Sequence, residues 1–142
     1  MKDGWCDSEY FVLAESHDEA LRMSSAYGIS DALPGYYFVG LRGWDDFIVC
    51  STEGSYFLVP AVPLRIDQLQ PYNFPSEKLR LVADPKITGR VKWYVTPLVF
   101  GGDPNPGPNM VWISFADHQE AVRHWNRLYN DLREKESNQR QA

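Results

Sequence analysis

Leu33–Leu64, LPGYYFVGLRGWDDFIVCSTEGSYFLVPAVPL, decides the fold. Pro34 presets φ and Gly35 accepts a positive φ, so Leu33-Pro34-Gly35 reads as a turn. Tyr36–Leu41 then reads as a strand, Arg42-Gly43 as a turn, and Asp46–Ser51 as the next strand. Glu53-Gly54 links it to Ser55–Val59, which predicts an antiparallel hairpin. Pro60 and Pro63 end that strand, because neither donates to a sheet ladder.

The flanking chain supplies further elements. Glu9–Ala14 (EYFVLA) has the length and apolarity of a buried strand. Ser16 and Glu19 have the spacing of a capping box, and Ala20, Met23 and Tyr27 form one apolar stripe, so a helix runs to Tyr27 and stops at Gly28. Arg65–Pro75 reads as irregular with a helical turn, and Ser76–Ala83 as a short helix or a strand. Arg90–Phe100 reads as a strand interrupted at Pro97, Gly101–Asn109 as a loop, and Met110–Ile113 as one more strand. Ser114 caps a last helix whose apolar face is Val122, Trp125, Tyr129 and Leu132. The tail beyond Lys135, residues 136–142, is expected to fray.

The expected fold is therefore α+β. One domain over 1–135 holds a twisted, mainly antiparallel sheet of five or six strands, with helices on one side and a long C-terminal helix. At 142 residues and 44% hydrophobic content, the chain has enough apolar material for one real core.

Charge is lopsided. Residues 1–54 carry ten acids and three bases, and residues 55–142 carry nine acids and eleven bases, for a net −5 overall. An acidic half disfavours a phosphate backbone, which demands clustered Lys and Arg. It favours a basic protein partner, because complementary charge speeds encounter. The first 15 residues lack a basic start followed by an apolar run, and no stretch reaches the length of a membrane span. The expectation is a cytoplasmic protein with no membrane contact, and with Cys6 and Cys50 as free thiols.

Candidate chemistry is sparse. Asp45 and Asp46 could share a proton or a hard cation, but adjacent strand residues point to opposite faces. A charged turn with one acid exposed is the expectation. His118 and His124 lie six apart, roughly 600° around a helix, which is not the i, i+4 pair of a zinc helix. No Cys-x-x-Cys pair or nucleophile elbow occurs. The loop GGDPNPGPN lacks the Gly-Lys-Ser/Thr ending of a phosphate loop, and its prolines remove backbone donors. Neither a metal nor a cofactor is expected.

With the strands laid out, residues 10–64 resemble the SUKH superfamily, the cell-wall assembly regulator-like proteins. The pieces are YFVLA, EALRMSSAYGI, LPGYYFVG, WDDFIV, EGSYFLVP and VPL, in the family's order. The family's opening helix has no counterpart before Tyr10, and residues 90–135 extend beyond the usual core. One hypothesis is that the last helix covers the sheet face which that opening helix would cover. Many bacterial members are immunity proteins of polymorphic toxin systems. The resemblance thus implies a non-catalytic protein, monomer or dimer when free, that binds and neutralises a cognate toxin domain, such as a basic nuclease or deaminase. The expected partner surface is Trp44, Asp45, Asp46 and Glu53 near the hairpin, with Asp103 on the long loop; Trp44 and Trp112 would be aromatic anchors. The alternatives are a regulatory scaffold, or a small hydrolytic enzyme pairing Asp46 with His118 or His124.

Overall fold

The computed structural model describes residues 1–75 and 79–141. Period-2 apolar patterning builds its centre. β1 (Lys2–Cys6) is the outer strand, paired with β2 (Glu9–Leu13) across an Asp7-Ser8 turn in which both residues take positive φ. β3 (Tyr36–Arg42), β4 (Asp46–Ser51) and β5 (Tyr56–Pro60) follow as predicted, and β6 (Gln70–Pro71) adds a short edge. The six strands pair antiparallel in sequence order. Phe47, Val49 and Val59 face one side of this sheet, while Phe11, Leu13 and Ile48 face the other.

A bulge in β3 breaks the period. Phe38 pairs with Val49 and Gly40 with Ile48, so Val39 is the extra residue. Phe38 and Leu41, three apart, therefore enter the same core. Ser24 secures this region by accepting the Phe38 N–H at 2.7 Å and donating to the Ala20 carbonyl at 2.8 Å.

Ser24 belongs to α1 (His17–Ala26), which starts at the predicted cap: Ser16 Oγ accepts the Glu19 N–H at 3.1 Å. The reciprocal bond is displaced by one residue, because Glu19 Oε1 takes the Glu15 N–H at 2.9 Å. Ala20 and Tyr27 are buried, and Met23 packs beside them. Gly28, at φ 79°, turns the chain into α2 (Ile29–Ala32).

β7 (Arg90–Tyr94) and β8 (Met110–Ser114) form a separate two-stranded sheet. The strand expected over Arg90–Phe100 stops at Tyr94. Beyond it Thr96 is bonded to Asn109 rather than to a ladder, and Pro97 opens a 3-10 turn, Leu98–Phe100. α3 (Phe115–Gln141) is capped by Ser114, whose Oγ accepts the Asp117 N–H at 3.1 Å. It enters the core through His118 and Val122, both fully buried.

One expectation about α3 is corrected. Trp125 and Tyr129 do not rest on the Tyr36–Val59 sheet; their rings lie against Phe100 at 4.9 and 6.3 Å. α3 meets the core through His118 and Val122, Asn126 bonds Ala61 and Leu64 just beyond β5, and Trp125 and Tyr129 turn to the Leu98–Phe100 turn. Of the segment 136–142, expected as a frayed tail, residues 136–141 lie within α3 and residue 142 lies outside the described residues. Glu, Lys, Gln and Arg propagate a helix well without a packing partner.

The helices lie on the side of the sheet bearing Phe47 and Val49. On the other side Tyr72, Phe74, Leu79 and Leu81 cover Phe11, Leu13 and Ile48. Val82 bridges to Trp5 through two 2.8 Å backbone bonds. Of the segment Ser76–Ala83, read as helix or strand, residues 76–78 lie outside the described residues. Among the described residues no helix is long and apolar enough to cross a membrane.

Candidate functional site

The turn from β3 to β4 forms a corner. Arg42 and Asp46 face each other across the strands, leaving Gly43, Trp44 and Asp45 to close the chain. Gly43 and Trp44 have φ of 62° and 67°. A positive φ at a residue as bulky as Trp is strained, on the order of 1–3 kcal/mol, and persists only where the surroundings hold it. Here the Gly43 N–H donates to Tyr10 at 2.8 Å and the Asp45 carbonyl accepts from Ala61 at 3.0 Å. The Trp44 ring stacks on Tyr10 at 4.8 Å and meets Trp5 and Trp112 edge-on at 6.0 and 5.3 Å. Its Nε1–H is sealed from solvent without an acceptor among the described residues.

Trp44 is therefore the half-buried hub of an aromatic cluster rather than a protruding anchor. Trp112, on β8, is 40% exposed and remains available as a surface ring. The Lys92 ammonium lies over Trp44 at 5.4 Å and Tyr94 at 6.0 Å.

The two acids share this corner. The alternation rule does not separate them, because Asp45 sits in the turn and only Asp46 begins β4. Both line a cleft of about 190 Å³ with Trp44, Pro60, Trp93 and Leu98. Both also border a shallower hollow on the Trp5, Glu9 and Tyr10 side. Asp45 is exposed as a residue and Asp46 is half-buried. Loss of hydration raises the pKa of Asp45, and the Lys92 charge opposes that rise. Loss of hydration also raises that of Asp46, with repulsion from Asp45 adding to it and Arg42 opposing it. Arg42 does not close on Asp46. Its guanidinium turns to Glu9, with Nε 3.0 Å from the carboxylate, and lies over the Tyr72 ring. Among the described residues neither acid is in an ion pair, and neither side chain accepts a hydrogen bond.

The other expected site residues stand apart. Glu53 is exposed in the β4–β5 turn, at the opposite end of β4 from Asp46, roughly 20 Å away at the rise of a strand. Asp103 does not line the cleft. Its carboxylate accepts from the Asn105 N–H and Nδ2, each at 3.0 Å, which folds the loop upon itself. The structure thus gathers Trp44, Asp45 and Asp46 and leaves out Glu53 and Asp103.

The histidines proposed as partners for Asp46 are engaged elsewhere. His118 Nδ1 lies 2.7 Å from the Tyr27 hydroxyl, inside the core. Burial lowers its pKa to about 4 and raises that of Tyr27. His118 Nε2 has no partner among the described residues. His124 is exposed, edge-on to Trp125. Among the described residues no hydrogen bond joins a histidine to either acid, and no three His, Cys, Asp or Glu side chains gather as a metal site requires.

Sequence reasoning missed the opposite wall of the cleft, formed by Trp93, Tyr94 and Pro97–Val99. The one signal was the mixed cationic and aromatic run Lys92-Trp93-Tyr94, which resembles core strand material until β7 is seen beside the corner. Comparison with family models, with curated proteins and with solved structures found no match to this chain.

Proposed function

We propose that this chain is an immunity protein that captures a cognate antibacterial toxin domain in the bacterial cytoplasm, using the Asp45–Asp46 corner against a basic toxin surface. The observation that carries the reading is a pair of adjacent carboxylates, Asp45 exposed and Asp46 half-buried, that line one cleft with no ion pair or donor among the described residues. Unpaired carboxylates held side by side repel one another and are relieved by a cation. The SUKH resemblance over residues 10–64 and the net −7 of residues 1–54 support the same partner class. Inhibition is by occlusion, with no turnover. A nuclease or nucleic-acid deaminase fits as the target, because such enzymes carry the basic surface that holds phosphate.

The test is co-expression with the toxin-like end of a secreted protein encoded beside this chain. The proposal expects growth to be restored and a one-to-one complex to be purified. Growth arrest that persists despite abundant folded protein would contradict it. Recovery of several housekeeping partners instead would favour a regulatory scaffold.

A further inference from the structure

We propose that the cleft between the β3–β4 turn and the Pro97–Val99 segment receives a single arginine side chain of the protein partner. This rests on the preceding reading that the acidic corner binds a basic protein, and it specifies how.

Size comes first. At about 190 Å³ the cleft is smaller than the roughly 300–1,000 Å³ of small-molecule sites. A helix, about 10–12 Å across with its side chains, cannot enter it. One extended side chain can.

The lining chooses the side chain. Trp44, Pro60, Ala61, Val62, Trp93 and Leu98 present apolar surface, and Asp45 and Asp46 supply the charge. Long cationic side chains bury their methylene stems on apolar walls while the head keeps polar contact. Two carboxylates need more than one donor direction. The planar guanidinium offers five N–H groups and gives up hydration more readily than an ammonium, so arginine fits better than lysine.

The protein already holds a cation beside the cleft, outside its lining. Lys92 lies over the Trp44 and Tyr94 rings, yet forms no ion pair with Asp45 or Asp46 among the described residues. Two ionised carboxylates and one ammonium leave one negative charge, which a single arginine neutralises. Leu98 and Val99, 48% and 49% exposed, stand at the mouth. There they would exclude water from the seated head, in the manner of the near-neutral contacts around an interface hot spot.

The test titrates the full chain with the capped tripeptide Gly-Arg-Gly and with its citrulline analogue, a neutral isostere. The readout is the indole N–H resonances of Trp44 and Trp93. The arginine peptide should give saturable shifts of both indoles, and the citrulline peptide should not. The double variant Asp45→Asn, Asp46→Asn should weaken arginine binding roughly tenfold, the loss expected for about 1.4 kcal/mol. Val99→Lys, a change at an exposed position, should weaken it as well through repulsion. Asp131→Asn, on the exposed face of α3, should leave it unchanged. Equal binding of the citrulline peptide, shifts that do not saturate, or variants that all bind like the parent would overturn the proposal. The two readings fail separately. Arginine binding without protection from any toxin leaves the cleft assignment standing and removes the immunity role. Protection that survives both cleft variants removes the cleft and the acidic corner from the interface and leaves the immunity role standing.

Discussion

His118 makes the stability of this protein depend on acid in a way that can be isolated. The imidazole is fully buried, and its pKa in the folded chain is about 4 against 6.5 for an unperturbed group. Between those values the unfolded chain binds a proton that the folded chain refuses. Stability contributed by neutral burial is thus complete above pH 6.5 and is lost as pH falls toward about 4, where the loss levels off. At 1.36 kcal/mol per pKa unit the span is about 3 kcal/mol. The perturbation is His118→Gln, which removes the titration and keeps a polar group facing the Tyr27 hydroxyl. Urea unfolding of both proteins at pH 7 and pH 4 gives the comparison, since carboxylates common to both cancel. The parent should lose about 3 kcal/mol more than the variant over this range. Parallel losses, differing by less than about 1 kcal/mol, would refute the reasoning, because a histidine that is buried and neutral must show this linkage.

Three substitutions probe the supports of the fold. Ser24→Ala leaves the buried Phe38 N–H without an acceptor and should cost about 1–3 kcal/mol in urea unfolding. Gly40→Ala places a Cβ 2.3 Å from the Val12 carbonyl and 2.6 Å from Leu13 Cδ2. The strands must shift, so a loss of at least about 2 kcal/mol is expected, read as a drop in Tm. Asn126→Ala removes both the bond donated to the Ala61 carbonyl and the one accepted from the Leu64 N–H, each 2.8 Å. It should cost about 1–3 kcal/mol and speed amide exchange at Leu64.

How much was legible depends on whether a signal was local. β3, β4 and β5 were readable because alternation and the Gly and Pro punctuation lie within each strand. β1 was not, because KDGWC contains Asp and Gly and its Asp7-Ser8 turn lacks the Asn-Gly or Asp-Gly signature. The Val39 bulge was hidden for a related reason. Strict period 2 assigns Gly40 to the face that the extra residue hands to Leu41. The burial of His118 had no local signal, since its hydrogen-bond partner, Tyr27, lies 91 residues away. Trp125 and Tyr129 had the right spacing for a core stripe, but spacing does not say which surface a stripe meets.

The site was legible in half. Trp44-Asp45-Asp46 stood out because a turn between two strong strands carried two acids. The wall facing them comes from β7 and the turn after it, which no local pattern links to residue 45. Glu53 looked close in sequence but lies beyond the full length of β4, on the far rim of the sheet. Asp103 looked like a free loop acid, yet Asn105 and Asn109 fold around it.

The most direct test is the association rate of this chain with the proposed toxin partner, measured at low and at physiological salt, for the parent and for Asp45→Lys with Asp46→Lys. Asp45→Asn with Asp46→Asn serves as the milder control. Reversal should slow association at least about tenfold at low salt, neutralisation should slow it less, and added salt should narrow both gaps. Equal association rates for all three proteins at low salt would contradict this expectation.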